Sequence, residues 1–419
     1  MDRFRRPADP RTAELIRAAQ ASARSRRRLS PSRRDVLGLA GLGVGASVLG
    51  ACAPPKPPAG GGAAAVELPM DLSDQEKVVR WANWTAYLDM DDAGKTYPTL
   101  TAFEKESGIK VTYTEDIDDN DTYFNKIAPQ LRAKQDINRD IFTFTDWMAN
   151  RIIREGLCQP LELLQMPNAS NLLAPLQEVS FDPGRQHSLT WQSGFAGIGY
   201  HKKKVGRELK AIEDLWADDL KGRISVLSEF RDTLGLIMQA QGVDPSGDFT
   251  QAQFEAATGE IDKRLTDGYI RRIKGNSYLN DLKSGNAVAG IVWSGDLFIL
   301  RAETEDDDWE FVIPESGGML WSDNLMVPIT SQHRRNAQRV MDYYYDPKVA
   351  AEVAAWVNYI CPVEGAREEM EKIDPELAES PFIFPSEDYI ADHDIVGFRA
   401  LSSQEDADYS ALWARTVGN

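Results

Sequence analysis

Cysteine and histidine are scarce in this chain of 419 residues, which has three cysteines and four histidines. The histidines are scattered, with no pair at the i, i+4 spacing of a helix and no cysteine partner at zinc-finger spacing. We therefore expect neither a metal site nor another cofactor. Cys158 and Cys361 could form one disulfide or remain two buried thiols, because their spacing does not distinguish these cases.

A hydrophobic segment long enough to span a membrane is also missing. The apolar stretch at residues 36–51 has 16 residues diluted by glycine, and a bilayer requires about 18 to 20. Arg33 and Arg34 precede it in a twin-arginine element typical of export signals. The end of the stretch, residues 49–52, resembles the bacterial lipoprotein box, in which Cys52 would become the lipid-bearing first residue. We expect residues 1–51 to be a twin-arginine-type lipoprotein signal peptide.

The segment after Cys52 has the composition of a linker. Residues 52–71 are rich in proline, glycine and alanine and lack periodicity, which predicts a flexible tether. These prolines also disfavour the alternative that Cys52 ends a buried core helix. The expected location is outside the cytoplasm, with a lipid anchor on the outer face of the cytoplasmic membrane, in the periplasm or at the cell surface.

Basic residues are few outside the leader. The first 51 residues hold 11 of the 47 Lys and Arg residues but only 4 of the 65 Asp and Glu residues, so the remainder has a formal net charge of about −25. A surface this acidic repels nucleic acid and favours cationic ligands. Nucleic acid is therefore not an expected partner.

Predicted strands and helices alternate along the rest of the chain. The strands are expected at residues 78–82, 109–113, 140–144, 224–227, 287–293, 311–313 and 325–327. The helices are expected at residues 100–106, 123–133, 147–155, 232–241, 254–266, 337–345 and 349–358. Residues 314–323 are expected to form a loop that crosses between lobes. The alternation predicts an α/β fold with a largely parallel sheet, and 368 residues after the leader exceed one comfortable core, which predicts two lobes.

Aromatic residues gather beside carboxylates at the ends of predicted strands. Five such clusters lie at residues 83–87, 145–147, 228–232, 293–296 and 321–323. Ligands of open α/β sheets bind outside the carboxyl ends of strands, so these clusters could meet in one crevice. Aromatic faces attract an ammonium group by roughly 0.5 to 2 kcal/mol, and carboxylates offset its dehydration. The clusters favour a slot for an elongated organic cation over the alternative that Asp146 and Asp232 are only helix caps.

The motifs in chain order resemble a known family. They occupy residues 83–87, 140–147, 154–157, 214–216, 221–224, 293–295, 314–323 and 359–362. Over most of residues 77–365 this set is similar to the solute-binding lipoproteins of ABC transporters, and among them to the spermidine/putrescine-binding proteins. The resemblance implies a two-lobed periplasmic-binding-protein-like α/β fold, with two crossing hinge segments and a ligand cleft between the lobes. We expect one lobe at 72–192 and 322–367 and the other at 193–321 and 368–419.

The resemblance also implies a set of binding residues. Those expected to supply aromatic walls and hydroxyl contacts are Trp84, Thr85, Tyr87, Thr145, Trp147, Trp293, Trp321 and Tyr359, with Ser277 as a further match. Those expected to bind ammonium groups are Glu229, Asp232 and Asp323. Ala86 departs from the family, which has an acidic residue there for one terminal amine. Asp296, Asp146 or Asp89 could replace that acid, or the far end of the ligand could be neutral or differently charged.

Three functions remain in competition. The first is a monomeric binding protein, not an enzyme, that captures a polyamine or related cationic amine and delivers it to an ABC permease in the membrane. The second is a secreted carbohydrate-active hydrolase, for which tryptophan-lined clefts and paired carboxylates are also natural. The chain after the leader lacks the Gly-x-Ser-x-Gly and His-Glu-x-x-His motifs of other hydrolases. The third is the same fold with another solute, such as an amino acid, a betaine-like cation or an iron chelate.

Overall fold

The computed structural model describes residues 68–91 and 93–418. The expected signal peptide, Cys52 and most of the tether lie outside this part. The strands are β1 (Val78–Trp84), β2 (Lys110–Ile117), β3 (Ile141–Thr145), β4 (Glu178–Val179), β5 (Asp182–Pro183), β6 (Ser188–His201), β7 (Ile224–Leu227), β8 (Ile270–Lys274), β9 (Ala289–Trp293), β10 (Trp309–Val312), β11 (Met319–Met326) and β12 (Val396–Gly397). No described helix combines the length and apolar character needed to cross a membrane.

Helices cover the sheet and fill the C-terminal region. They are α1 (Pro98–Ser107), α2 (Asn120–Arg132), α3 (Asp146–Arg154), α4 (Ala174–Gln177), α5 (Lys202–Val205), α6 (Phe230–Ala240), α7 (Gln251–Thr266), α8 (Tyr278–Lys283), α9 (Ser294–Thr304), α10 (Arg334–Tyr343), α11 (Pro347–Val357), α12 (Ala366–Ile373), α13 (Pro375–Ala378), α14 (Glu387–Asp392) and α15 (Ser403–Val417). Local signals set several ends. For example, α1 begins with a proline in its first turn and ends at Gly108, whose φ of 70° suits glycine.

The main sheet has a parallel group at each end and an antiparallel centre. Its order is β2-β1-β3-β11-β6-β9-β7-β8, with β10 added to β6 and β12 to β11. β1 pairs in parallel with β2 and β3, and β7 pairs in parallel with β8 and β9. β11 and β6 run antiparallel to their neighbours in this order. The α/β, two-lobed fold class is confirmed, whereas the expectation of a largely parallel sheet holds only for the two outer groups.

Two central strands cross between the outer groups. The expected loop at 314–323 is partly wrong, because its second half belongs to β11, and the 14-residue β6 was not predicted from the sequence. Both strands are buried almost throughout, so they lack the alternation of buried and exposed residues that marks a half-buried strand. Ser193 pairs with Ser322 in these strands, and their hydroxyl oxygens are 2.7 Å apart. The predicted lobe boundaries at 192/193 and 321/322 fall at this pair and stay a prediction.

The parallel strands direct their carboxyl ends toward one cleft. β1 ends at Trp84, β3 at Thr145 and β9 at Trp293, while β7 ends two residues before Glu229. This arrangement places residues from four separate strands at the same edge, where open α/β sheets bind ligands. β11 contributes from its middle, through Trp321 and Asp323.

Candidate binding site

A cleft with an empty volume of about 390 Å³ lies at these strand ends. Its walls bring together ten of the twelve predicted ligand-binding residues. The lining residues are Trp84, Thr85, Tyr87, Asn120, Thr145, Glu229, Asp232, Asn276, Trp293, Asp296, Trp321, Asp323 and Tyr359. Trp147 and Ser277 were predicted but do not line the cleft, while Asn120 and Asn276 were missed.

Five aromatic rings form a continuous belt along the cleft. Successive centroids are 6.3 Å apart for Trp84–Trp293, 6.4 Å for Trp293–Trp321, 5.1 Å for Trp321–Tyr359 and 5.5 Å for Tyr359–Tyr87. Each contact is edge-to-face, as aromatic pairs prefer. A glycine at position 194 makes room for the belt, because a Cβ there would lie 2.6 Å from Trp321 Cζ2. The belt thus presents aromatic faces in several orientations.

Asp323 lies at one corner of the cleft, which we call the Asp323 corner, and its neighbours there are neutral donors. The Tyr87 hydroxyl donates to Asp323 Oδ2 at 2.9 Å, and the Thr145 hydroxyl donates to Oδ1 at 2.7 Å. Among the described residues, none forms a salt bridge with this carboxylate. Burial raises the pKa of Asp323 to about 7 despite both hydrogen bonds. The corner holds a dehydrated carboxylate that no cation among the described residues balances.

Glu229 forms a second corner, the Glu229 corner, where a cation is already present. Arg231 Nη1 is 3.4 Å from Glu229 Oε1, and its Nη2 is 2.5 Å from Asp406 Oδ1 on α15. The guanidinium also lies over the Trp147 ring, 3.7 Å from the centroid. The other Glu229 oxygen accepts from the Asn120 amide and the Trp147 indole, each at 3.2 Å. Both Glu229 oxygens therefore have protein donors, and Trp147 contacts this carboxylate from outside the cleft wall.

Burial outweighs Arg231 in setting the charge of Glu229. The pKa of Glu229 is raised to about 7, chiefly by desolvation, although the Arg231 guanidinium lowers it. Attraction from a cation 3.4 Å away favours the ionised form. The corner is thus an internal ion pair that is largely dehydrated.

Asp232 and Asp296 complete the acidic wall. Trp293 Nε1 donates to Asp232 Oδ2 at 2.8 Å, and burial raises the pKa of Asp232 well above its usual range. Asp296 accepts from the hydroxyls of Tyr359 at 2.9 Å and Tyr278 at 2.8 Å, and burial raises its pKa to about 6. Such a wall attracts cations, which restore the ionised form of each acid.

Only one of the three acids considered as replacements for the missing carboxylate lines the cleft. This acid is Asp296. The other two do not line the cleft and have partners elsewhere: Asp146 accepts from the Asn324 amide at 2.7 Å, and Asp89 accepts from Thr99 at the start of α1. Ala86 itself is half-buried with a φ of 55°, and its amide donates to Glu115 Oε1 at 3.1 Å.

Asn276 replaces Ser277 in the wall. The backbone amide and hydroxyl of Ser277 donate to the Asp118 carboxylate at 2.7 and 3.3 Å, which turns this side chain away from the cleft. The Asn276 amide donates to Asp296 Oδ2 at 3.3 Å. The sequence could have pointed to Asn276, because it directly precedes the serine matched to the family. A shift of one residue at the start of a helix changes the direction in which the side chain points.

The cysteines and a possible metal-binding cluster lie elsewhere. Cys158 and Cys361 are two buried free thiols, which decides between the alternatives left open by their spacing. His201, Asp306 and Asp308 have potential ligand atoms within 4.8 Å of one another. Lys203 Nζ lies 2.7 Å from Asp308 and already supplies positive charge, so we assign no metal to this cluster.

The sheet topology and the cleft define a class, the two-lobed α/β solute-binding proteins. The family model for bacterial extracellular solute-binding proteins matches residues 98–381, and this chain belongs to that family. The match confirms the resemblance drawn from the motifs. The family binds solutes, and its description places it outside the cytoplasm.

Individual relatives are similar over most of the chain. The spermidine/putrescine-binding periplasmic protein of Escherichia coli K12 is 25% identical over 331 residues, which cover 78% of this chain and 89% of the relative. The putrescine-binding periplasmic protein SpuD of Pseudomonas aeruginosa UCBPP-PA14 is 26% identical over 337 residues, 76% of this chain and 86% of the relative. The structure of a putative spermidine/putrescine ABC transporter from Listeria monocytogenes aligns with a TM-score of 0.69 and 24% identity, covering 81% of this chain and 99% of that one.

Proposed function

We propose that this protein binds a polyamine, such as spermidine or putrescine, or a related cationic amine, and delivers it to the permease of an ABC importer. The observation that carries the proposal is Asp323, a buried carboxylate beside a five-ring aromatic belt with only neutral donors around it. An ammonium group there would gain charge-assisted hydrogen bonds and contact with aromatic faces. The names of the relatives support the same solute class.

The proposed pose follows from the wall. An ammonium group binds between Asp323 and Asp232, whose charges interact across the cleft. The alkyl chain lies along the rings of Trp293, Trp321 and Tyr359. Tyr87 and Thr145 provide hydroxyls at the same end, and Thr85 is a further lining residue.

Calorimetry with putrescine, spermidine, spermine and a panel of other amines tests this function. We expect saturable binding of at least one cationic amine to the wild type. Amino acids, betaine and an iron chelate in the same panel test the alternative of another solute, which Ala86 leaves open. A turnover assay on glycosides, run beside the binding assay, tests the alternative that the protein is a carbohydrate-active hydrolase. Binding of none of the amines, or turnover of a glycoside, would contradict the proposal.

Closure of the two predicted lobes around the ligand belongs to the proposed mechanism. Hydrogen bonds already cross the predicted lobe boundary at the cleft edge, where Ser277 donates to Asp118 and the Ser228 hydroxyl donates to Asp119. Hinge motion would let the permease distinguish loaded from empty protein. Small-angle scattering should show compaction at saturating ligand, and identical profiles with binding confirmed would indicate a rigid site.

A lipid anchor at Cys52 would keep the protein, as a monomer, beside its permease. Cys52→Ser should release the protein from the membrane fraction, because a serine carries no thioether-linked lipid. Cys158→Ser, a substitution at a buried thiol, is the matched control. Unchanged membrane association of the Cys52 variant would refute the anchor.

A further inference from the structure

Two hydrogen-bond donors in the cleft wall have no acceptor. The indole nitrogens of Trp84 and Trp321 are buried from solvent and have no hydrogen-bond partner among the described residues. Both rings line the cleft. An indole N–H can only donate, and burying it without an acceptor is unfavourable.

The tryptophan between these two rings, Trp293, does have a hydrogen-bond acceptor. Trp293 lies 6.3 Å from Trp84 and 6.4 Å from Trp321, measured between ring centroids. Its N–H donates to Asp232 at 2.8 Å. Within the part of the chain that the structure describes, the central tryptophan of the belt thus has an acceptor and the two outer tryptophans have none.

A protonated amine cannot satisfy the outer donors, because an ammonium group has hydrogens to give and no lone pair to accept. The loop after β1 also lacks the carboxylate for a second ammonium, since Ala86 stands two residues after Trp84. In addition, Asn276 Oδ1 is buried in the wall without a donor. These groups suit an amide or similar group better than a second cation.

We propose that the solute is an amine with one ammonium group and a neutral carbonyl oxygen at its other end, of the class of N-acylated diamines. The inference rests on the proposed function, whose cationic end remains at Asp323 and Asp232. Trp84 and Trp321 donate to the carbonyl oxygen, and Asn276 accepts from a ligand N–H. A carboxylate at this end is disfavoured, because Glu229, Asp232, Asp296 and Asp323 already line the cleft.

Calorimetry with putrescine and N-acetylputrescine distinguishes the two ligand classes. These probes share a four-carbon chain and one ammonium group and differ in the second nitrogen. We expect N-acetylputrescine to bind about tenfold more tightly, in line with two additional neutral hydrogen bonds. Equal or tighter binding of putrescine would overturn this inference and leave the proposed function standing. Failure of both probes to bind, together with failure of all other amines, would overturn both.

Indole N–H groups can be removed while an aromatic ring is kept. Trp84→Phe and Trp321→Phe should each lower the ratio of N-acetylputrescine affinity to putrescine affinity about fivefold, because only the carbonyl uses the N–H. Trp356→Phe, at a half-buried tryptophan outside the cleft, is the matched control and should leave this ratio unchanged. The readout is the ratio of the two affinities within one variant, which does not depend on the folded fraction. An unchanged ratio in both cleft variants would overturn the assignment.

Discussion

The Asp323 corner and the Glu229 corner each hold a buried carboxylate, yet their surroundings differ in charge. Two hydroxyls surround Asp323, whereas Glu229 is paired with Arg231, which is itself held by Asp406 and Trp147. Desolvation raises the pKa of both carboxyls to about 7. The number of acids in a cleft therefore does not equal the number of cations that it can bind.

Arg231 positions the Glu229 carboxylate from outside the cleft. It does not line the cleft, but it connects Glu229 to α15, which also reaches the same loop through Trp413 Nε1 and the Ser228 carbonyl at 2.7 Å. The family match ends at residue 381, before α15. A helix beyond the matched region thus contributes to the electrostatics of the site.

The largest effect is expected from Asp323→Asn. This change keeps the shape but removes the charge that faces a dehydrated ammonium group, which should cost about 2 to 5 kcal/mol of binding free energy. Calorimetry with the tightest-binding amine measures the loss, and Glu305→Gln, at an exposed acid, is the control. Binding equal to wild type would contradict the assignment of Asp323.

Lowering the pH should weaken amine binding. Below pH 7 the Asp323 carboxyl of the ligand-free protein is protonated, so it must lose a proton to bind ammonium, and affinity should fall about tenfold per pH unit. The stability effect has the opposite sign. Because the folded pKa lies above the ordinary value of 3.8, Asp323 contributes stability at low pH that is lost as the pH rises to about 7.

Calorimetry and thermal unfolding from pH 5 to pH 8 measure the two trends on one sample. Titrations in buffers of different ionisation enthalpy should also detect proton release on binding at pH 6. In Asp323→Asn the pH dependence of binding should become shallower. A wild-type affinity that does not change with pH would show that Asp323 is not the titrating group.

A new carboxylate in the loop after β1 should change the preferred ligand. Ala86→Glu supplies a counter-ion for a second ammonium group and should tighten putrescine binding by about 1 to 3 kcal/mol. The backbone conformation adds little cost, because Ala86 is already a non-glycine residue at positive φ. Ala133→Glu, at an exposed alanine, adds the same charge elsewhere and should have almost no effect. Equal effects of the two variants would attribute any gain to net charge alone.

The smallest effect on affinity is expected from Glu229→Gln. Arg231 already pairs with its charge, so amine binding should weaken by less than about 1 kcal/mol. The free energy of unfolding at pH 8 should rise, because burial of the ionised Glu229 carboxylate outweighs the attraction of Arg231. Calorimetry and chemical denaturation separate these effects. If Glu229→Gln lost as much binding free energy as Asp323→Asn, the two corners would be equivalent cation sites.

Local sequence was sufficient to predict the residues at the strand ends. Trp293 ends the strand predicted at 287–293, while Trp84 and Thr145 lie within two residues of the predicted ends at 82 and 144. The carboxyl ends of parallel strands meet at one edge. The periodicity of the helices and strands depends on neighbours a few positions away, so a single sequence contains it. The acids at Asp232 and Asp323 were placed by the same reasoning and by the family motifs.

Tertiary structure decided the features that depend on distant contacts. The central strands β6 and β11 are buried on both faces, which removes their sequence period. Arg231 meets Asp406, 175 positions away, and no local pattern predicts that this cation neutralises Glu229. The unpaired indoles of Trp84 and Trp321 likewise emerge only when all neighbouring acceptors are in place. Charge and hydrogen-bond balance in a buried site is a property of the whole surrounding shell, and residues far apart in the chain build that shell.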